Sequence, residues 1–167
     1  MLGYEAHMTL FKLLLVDDEK PFIETLAQRL RRRGFVVNCA FSGIEALNHL
    51  DNNKTIDVAV IDLNMPGIDG LETMKKLKKK HLLVEVILLT GHSTICSAVE
   101  AIKFGAFDYL TKPCDINRLI SKARQAVARK EEREAKIFEV RTKLYITKQE
   151  RDELISQILR PEIPDQF

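Results

Sequence analysis

The chain has 167 residues, of which 46% are hydrophobic, and its formal net charge at pH 7 is only +2. This length and composition fit a globular domain of ordinary size, alone or with an appendage, and the small charge excludes a strong overall attraction to nucleic acid or anionic lipid. No apolar run approaches the roughly 20 residues of a membrane-spanning helix, and no signal-peptide pattern occurs. We therefore expect a cytoplasmic protein that binds no membrane and, by itself, no nucleic acid.

From residue 11 to about residue 129, short apolar runs alternate with longer stretches of helical periodicity. The five runs that read as buried strands are 11–16, 35–41, 57–61, 84–89 and 107–110. Continuous apolar strands separated by helices are typical of a parallel sheet that is covered on both faces. The sequence therefore predicts an α/β domain of five β-α units over residues 9–129, and we interpret residues 1–8 as a tag or a disordered start.

Two basic runs, at residues 31–33 and 75–80, fall at the ends of predicted helices. We interpret both as solvated helix ends whose charges offset the helix dipole. Neither run has the interleaved aromatic residues that would indicate nucleic-acid binding.

Residues 130–160 differ in composition from the preceding part of the chain. They have dense mixed charge, no Gly or Pro, and no predicted strand. Positions that step by four and three from residue 119 to residue 158 form an interrupted apolar seam, which is best developed over residues 137–144. The pattern predicts a helical extension. A parallel coiled-coil homodimer and a helical hairpin that packs on itself both remain open.

One local signal favours a break in this extension. Thr147 followed by Glu150 forms a capping-box pattern, which predicts that one helix ends and another begins near Ile146. The prolines at positions 161 and 164 end any helix, so we expect residues 161–167 to be a frayed tail.

Polar residues follow the predicted strands at the points where those strands end. Ligands of an open parallel sheet sit beyond the carboxyl ends of its strands, so these side chains are expected to lie together. They are Asp17, Asp18 and Glu19 after the first strand, Asp62 after the third, Thr90 after the fourth, and Thr111, Lys112 and Pro113 after the fifth. Clustered carboxylates raise one another's pKa unless a cation lies among them, and hard oxygen ligands of this kind suit Mg²⁺.

The chemistry that this set could perform is phosphoryl transfer. A carboxylate can accept a phosphoryl group covalently, the Lys112 ammonium can neutralise its oxygens, and the Thr90 hydroxyl can hydrogen-bond to one of them. Taken singly, each residue also has a structural explanation: an aspartate pair can cap a helix, and an isolated lysine is most often a surface residue.

Four motifs occur in order at strand ends: Asp17-Asp18, DLNMPGIDG at 62–70, LTGH at 89–92 and YLTKP at 109–113. Together they resemble the receiver domain of two-component response regulators over roughly residues 11–129. The resemblance implies a flavodoxin-like, doubly wound (βα)5 fold with strand order 2-1-3-4-5, here followed by a C-terminal helical extension.

The resemblance also implies a role for each matching residue. Asp62 is the expected phosphoacceptor, and Lys112 is expected to pair with it and with the phosphoryl group. Asp18, Asp62 and the backbone carbonyl of Asn64 are the expected Mg²⁺ ligands, which Asp17 supports.

Further positions correspond to the switch of the family. Thr90 matches the switch hydroxyl, and Tyr109 matches the aromatic residue that turns inward when that hydroxyl moves. The bond before Pro113 is expected to be cis, and Asn64 and His92 match positions that tune the lifetime of the phosphoryl group.

We therefore expect a receiver that takes its phosphoryl group from a sensor histidine kinase or a phosphotransfer protein. Phosphorylation would switch an interaction or dimerisation face formed by the fourth helix, fifth strand and fifth helix. Its only catalysis would be its own phosphorylation and dephosphorylation, so we do not expect an enzyme in the usual sense.

Two other interpretations were weighed. Residues 90–113 resemble receivers of sigma-54-dependent activators, so the chain could be the N-terminal fragment of a longer DNA-binding regulator, with residues 130–160 as a linker coiled coil. The residues after 129 are too few for an ATPase, and the PEIPDQF ending favours a natural end. A metal-dependent phosphatase is disfavoured, because such enzymes commonly carry a second acid where Asn64 stands here.

Overall fold

The computed structural model of the chain describes residues 10–91 and 95–161, and of residues 95–97 the backbone alone. The predicted start at residues 1–8, the tuning position His92 and the tail beyond Pro161 lie outside the described residues. The elements, in chain order, are β1 (Lys12–Val16), α1 (Lys20–Arg31), β2 (Val36–Ala40), α2 (Gly43–Asn52), β3 (Val58–Asp62), α3 (Gly70–Lys80), β4 (Glu85–Thr90), α4 (Ile95–Lys103), β5 (Asp108–Thr111), α5 (Ile116–Thr142) and α6 (Lys148–Leu159).

The five strands form one parallel sheet in the order β2-β1-β3-β4-β5. All residues of β3 and β4 are buried, as expected for central strands covered on both faces. The flavodoxin-like fold, the strand order and the C-terminal helices that the sequence predicts are confirmed.

Alternate residues of each strand enter two separate cores, because successive side chains of a strand point to opposite faces. Leu13 and Leu15 pack in the core that contains residues of α1 and α5. Leu14 and Val16 pack in the other core, with residues of α2, α3 and α4. This arrangement holds the carboxyl ends of all five strands at one edge of the sheet.

Helix α5 contains 27 residues and, at about 1.5 Å per residue, is about 40 Å long, so it extends beyond the receiver body. It ends at Thr142, and α6 begins after a complete capping box of Thr147 and Glu150, which agrees with the predicted break. Arg133 of α5 donates to the carbonyl oxygen of Arg160 at 3.4 Å, so α6 returns along α5.

The two helices form a hairpin within one chain, with Ile137 and Val140 of α5 each only 6% exposed. Because α5 stops at Thr142, one continuous helical seam to residue 158 is not formed. None of the helices in the described ranges has the length and apolarity needed to cross a membrane. The homodimer stays a prediction.

Candidate functional site

The predicted site residues lie at the carboxyl edge of the sheet. Asp17 follows β1 directly, Asp62 is the last residue of β3 and Thr90 is the last residue of β4. Lys112 follows the last residue of β5, and its backbone N–H donates to the Thr90 carbonyl oxygen at 2.8 Å. The parallel register therefore gathers residues from four strands at one place.

Three carboxylates form the acidic part of the site. Asp17 is fully buried, Asp62 is 4% exposed and Asp18 is exposed, and one carboxylate oxygen of each lies within 4.8 Å of the others. The Asp17 carboxylate also accepts the Glu19 backbone N–H at 2.9 Å, which holds the loop after β1 in place. A cluster of hard oxygen atoms, partly buried and open on the Asp18 side, fits a Mg²⁺ ion.

Lys112 supplies the opposite charge. Its Nζ lies 2.6 Å from Oδ2 of Asp17 and 3.0 Å from Oδ1 of Asp62. Burial by itself would lower the pKa of Lys112, but the hydrogen bonds and charges of both aspartates outweigh burial and raise the pKa. The ammonium therefore stays protonated and in contact with the Asp62 carboxylate. The peptide bond between Lys112 and Pro113 is cis, as predicted.

Burial is the main influence on the pKa of Asp62. Burial raises the pKa of Asp62, Lys112 opposes the rise, and the nearby Asp17 charge adds to it. A backbone hydrogen bond from Asn64 also opposes the rise. The balance is a raised pKa, so the ionised form of Asp62 is less stable here than in water, and a bound cation would stabilise it.

The two predicted switch residues take different positions. Thr90 is 2% exposed and stands at the site edge, paired in register with Thr111. Tyr109 of β5 pairs in register with Leu88 of β4. Its half-buried ring packs against the core that α2, α3 and α4 share with the sheet. The structure therefore brings Thr90, but not the ring of Tyr109, into the strand-end cluster.

Sequence reasoning missed two contributors. The ring of Phe22 lies beneath the Lys112 ammonium, with 4.6 Å between Nζ and the ring centroid. Gly70 starts α3 so close to β3 that a Cβ there would lie 2.1 Å from the Asp62 carbonyl oxygen. The glycine that ends the DLNMPGIDG run was a signal for such a close approach, whereas nothing in the local sequence marks Phe22 as a neighbour of Lys112.

The chain belongs to the response regulator receiver domain family, which it matches over residues 13–124. Transcriptional regulatory protein TctD of Salmonella typhimurium is 37% identical over 118 residues, which are 71% of this chain and 52% of that protein. The DNA-binding transcriptional regulator NtrC of Klebsiella pneumoniae is 38% identical over 120 residues, 72% of this chain but 25% of that protein. The chain thus spans about half and a quarter of the lengths of these two relatives.

Solved receiver structures resemble the chain over the same region. A response regulator receiver domain protein from Clostridium thermocellum has a TM-score of 0.70 and 35% identity, covering 73% of this chain and 98% of that one. A response regulator from Burkholderia pseudomallei, with a phosphorylated aspartic acid, a calcium ion and citrate, has a TM-score of 0.65 and 30% identity, covering 75% and 73%. A phosphorylated aspartate and a calcium ion therefore occur together in a structural relative of this chain.

Proposed function

We propose that Asp62 accepts a phosphoryl group from the phosphohistidine of a sensor histidine kinase or phosphotransfer protein. The observation that carries the proposal is the position of the Lys112 Nζ, 3.0 Å from Asp62 Oδ1, at the edge of a three-carboxylate cluster. This geometry supplies a nucleophile and a fixed positive charge, which are what phosphoryl transfer requires of a protein.

In the transfer, a carboxylate oxygen of Asp62 forms a bond to phosphorus while the bond from phosphorus to the histidine nitrogen breaks. The electron pair of the broken bond stays on that nitrogen. Lys112 remains protonated and stabilises the negative charge of the phosphoryl oxygens, and the Thr90 hydroxyl donates to one of them. Water then hydrolyses the acyl phosphate, which releases inorganic phosphate and restores the Asp62 carboxylate. The chain therefore catalyses only its own phosphorylation and dephosphorylation.

Asp17, Asp18, Asp62 and the backbone carbonyl of Asn64 would hold Mg²⁺. When bound, the ion supplies positive charge against the acids and the phosphoryl oxygens. The oxygen-only donor set of the three clustered carboxylates supports this assignment.

The consequence of phosphorylation is a change in the face formed by α4, β5 and α5. Lys112 links the acids to the loop after β5, and the buried Thr90 ends β4, the strand that precedes α4 in the chain. A local charge change that biases two arrangements of such a face is a common switch design. Through this face we propose contact with a second copy or another protein in the cytoplasm, without direct binding of nucleic acid by these residues.

A second candidate is that the chain is the receiver part of a longer DNA-binding transcriptional regulator. The lengths of TctD and NtrC favour this candidate, because both are longer than the region they share with this chain. Reading the gene beyond the codon of Phe167 separates the two candidates.

The test is incubation of the purified chain with acetyl phosphate and Mg²⁺, followed by intact mass measurement. We expect a gain of one phosphoryl group that disappears in EDTA and in Asp62→Asn. Asp51→Asn, which changes an exposed aspartate on α2, is the matched control and should still be phosphorylated. Light scattering on the same samples reports a change of oligomer. A mass gain that persists in Asp62→Asn would overturn the assignment.

A further inference from the structure

A second ionic cluster lies at the end of the sheet opposite to the phosphorylation site. Glu85 is the first residue of β4 and its side chain is fully buried. Arg129 of α5 donates to both carboxylate oxygens, through Nε at 2.9 Å and through Nη2. Arg133 of α5 adds a contact at 3.3 Å, and Nζ of Lys78 on α3 lies 3.6 Å away. Three cations therefore converge on one carboxylate.

These cations are nearly withdrawn from solvent. The side chains of Lys78, Arg129 and Arg133 are 14%, 19% and 6% exposed, respectively. Burying cations costs free energy unless negative charge compensates them, and Lys78 and Arg129 share the single charge of Glu85. The electrostatics agree: burial lowers the pKa of Lys78 to about 8, and the charges of Arg129 and Arg133 contribute to the lowering against Glu85.

The same three cations also line a small cavity. Its volume is about 110 Å³, and among the described residues that line it are Lys78, Arg129 and Arg133 but no acid. The remaining wall is largely apolar and includes Phe104 from the end of α4 and Leu159 and Pro161 from the end of α6. The described lining of the cavity therefore combines three cationic side chains with apolar ones.

We propose that this cavity binds a small oxyanion, such as phosphate, sulfate or a carboxylate, with Lys78, Arg129 and Arg133 as its donors. Guanidinium groups recognise oxyanions by paired hydrogen bonds, and lysine adds a point charge. The cavity has room for a group of this size. Because the rest of its wall is largely apolar, the cavity favours a single compact anion over an extended polyanion.

The anion would join the receiver body to the C-terminal hairpin. The cavity is bounded by α3, α5 and the end of α6, and Arg133 already donates to the Arg160 carbonyl oxygen. An oxyanion held by Lys78 and Arg133 would therefore tie the end of α6 to α3. The cavity is built from other residues than those of the Asp62 site, so the inference does not depend on the proposed phosphorylation.

The oxyanion can come from solution or from the chain. Glu162 follows Pro161 in the sequence, and Pro161 lines the cavity. The direct test is equilibrium dialysis of radiolabelled inorganic phosphate at low ionic strength in EDTA, on the wild-type chain and on Glu162→Gln. Saturable binding of one phosphate by the wild-type chain indicates an anion from solution. Binding by Glu162→Gln alone indicates that the Glu162 carboxylate occupies the site.

Three variants locate the bound phosphate. Each is made in the wild-type chain or in Glu162→Gln, whichever of the two binds phosphate. Lys78→Met should weaken binding about tenfold or more, because a charge-assisted donor is lost. Lys76→Met changes an exposed lysine of the same helix and should leave binding unchanged. Lys112→Met should also leave it unchanged, since it alters only the opposite edge of the sheet.

If Lys78→Met does not fold, as the loss of its cooperative thermal transition would show, a variant that places a negative charge in the cavity tests the proposal instead. Phe104 is 44% exposed, so Phe104→Glu can place a carboxylate at the cavity wall without unfolding the core. It should abolish phosphate binding, whereas Ile44→Glu, at a 62% exposed position on α2, should not. Absence of saturable binding in both the wild-type chain and Glu162→Gln, or binding that survives both Lys78→Met and Phe104→Glu, overturns the proposal.

Discussion

Lys112 and Asp62 are joined by a 3.0 Å contact between Nζ and Oδ1, although they come from the ends of two strands that are not neighbours in the sheet. The same ammonium contacts Asp17, which is 95 residues away along the chain. This single cation therefore connects β1, β3 and β5 at the site. Its removal should affect chemistry more than folding, because it lies at the edge of the sheet and outside both cores.

The first prediction concerns this lysine. Lys112→Met should lower the initial rate of Asp62 phosphorylation by acetyl phosphate by about 10²–10³-fold, as for the loss of other preorganised donors to a developing charge. The measurement is the time course of the mass gain in Mg²⁺. Lys76→Met, which removes an exposed lysine paired with Glu72, should keep the wild-type rate. An unchanged rate in Lys112→Met would remove the lysine from the mechanism.

The second prediction concerns the close approach of α3 to β3. A Cβ at Gly70 would lie 2.1 Å from the Asp62 carbonyl oxygen and 2.8 Å from the Leu63 Cα, and backbone atoms have little room to move. Gly70→Ala should therefore lower the free energy of unfolding by about 1–3 kcal/mol, as overpacking does, and slow phosphorylation. Gly91→Ala is the control, since no atom of the described residues would lie within 4 Å of a Cβ there. Urea denaturation checks both variants, and equal stability would contradict the steric argument.

The third prediction is a pH dependence that arises at Lys78. Burial is the main reason why its pKa falls from 10.5 to about 8. The charges of Arg129 and Arg133 also lower the pKa, and Glu85 opposes the change. Between these two values the folded chain binds fewer protons at this amine than the unfolded chain, so the free energy of unfolding rises with pH across that window. Between about pH 7.5 and about pH 9.5 the rise from this group should be about 1–2 kcal/mol.

Urea denaturation in a buffer free of oxyanions measures this rise, and the Lys78→Met variant isolates it. The half-buried thiols of Cys39 and Cys114 have raised pKa values, mainly because of burial, and their contribution runs in the opposite direction. Their effect is present in both proteins, so the difference between wild-type and Lys78→Met reports Lys78. Parallel pH profiles would show that the amine keeps an ordinary pKa in the folded chain.

The fourth prediction concerns the start of α6. The Thr147 hydroxyl accepts the Glu150 backbone N–H at 3.2 Å, and the Glu150 carboxylate accepts the Thr147 backbone N–H at 2.7 Å. Thr147→Ala removes one half of this box and should cost about 0.5–2 kcal/mol of local stability. Hydrogen exchange of the α6 amides should become correspondingly faster. Thr142→Ala, whose hydroxyl only donates back to carbonyl oxygens of α5, should leave those amides unchanged.

Much of the fold and of the site followed from local sequence. The apolar strand runs located all five strands, because central strands of a parallel sheet are buried on both faces and cannot alternate with polar residues. The capping box located the break between α5 and α6, since its hydrogen bonds involve only Thr147 and Glu150. The strand-end residues Asp17, Asp62, Thr90 and Lys112 could be grouped because parallel strands end at one edge.

Residues whose environment comes from distant elements were misread or missed. The basic run at 75–80 was interpreted as a solvated helix end, but Lys78 is turned inward, where its Nζ donates to the Val84 carbonyl oxygen at 2.7 Å. That interpretation is wrong for Lys78, because burial depends on what packs against a helix and not on the composition of the helix. Glu85 was read as part of an apolar strand, and nothing local indicates its partners.

The sequence by itself therefore determined the elements, their order along the chain and the residues that meet at the proposed phosphorylation site, since these depend on periodicity, capping and strand ends. Tertiary structure alone decided that α6 returns along α5, that Phe22 lies beneath Lys112, and that three cations meet at Glu85. These contacts join residues far apart in the chain, and their energies depend on distances and burial that exist only after the helices have packed.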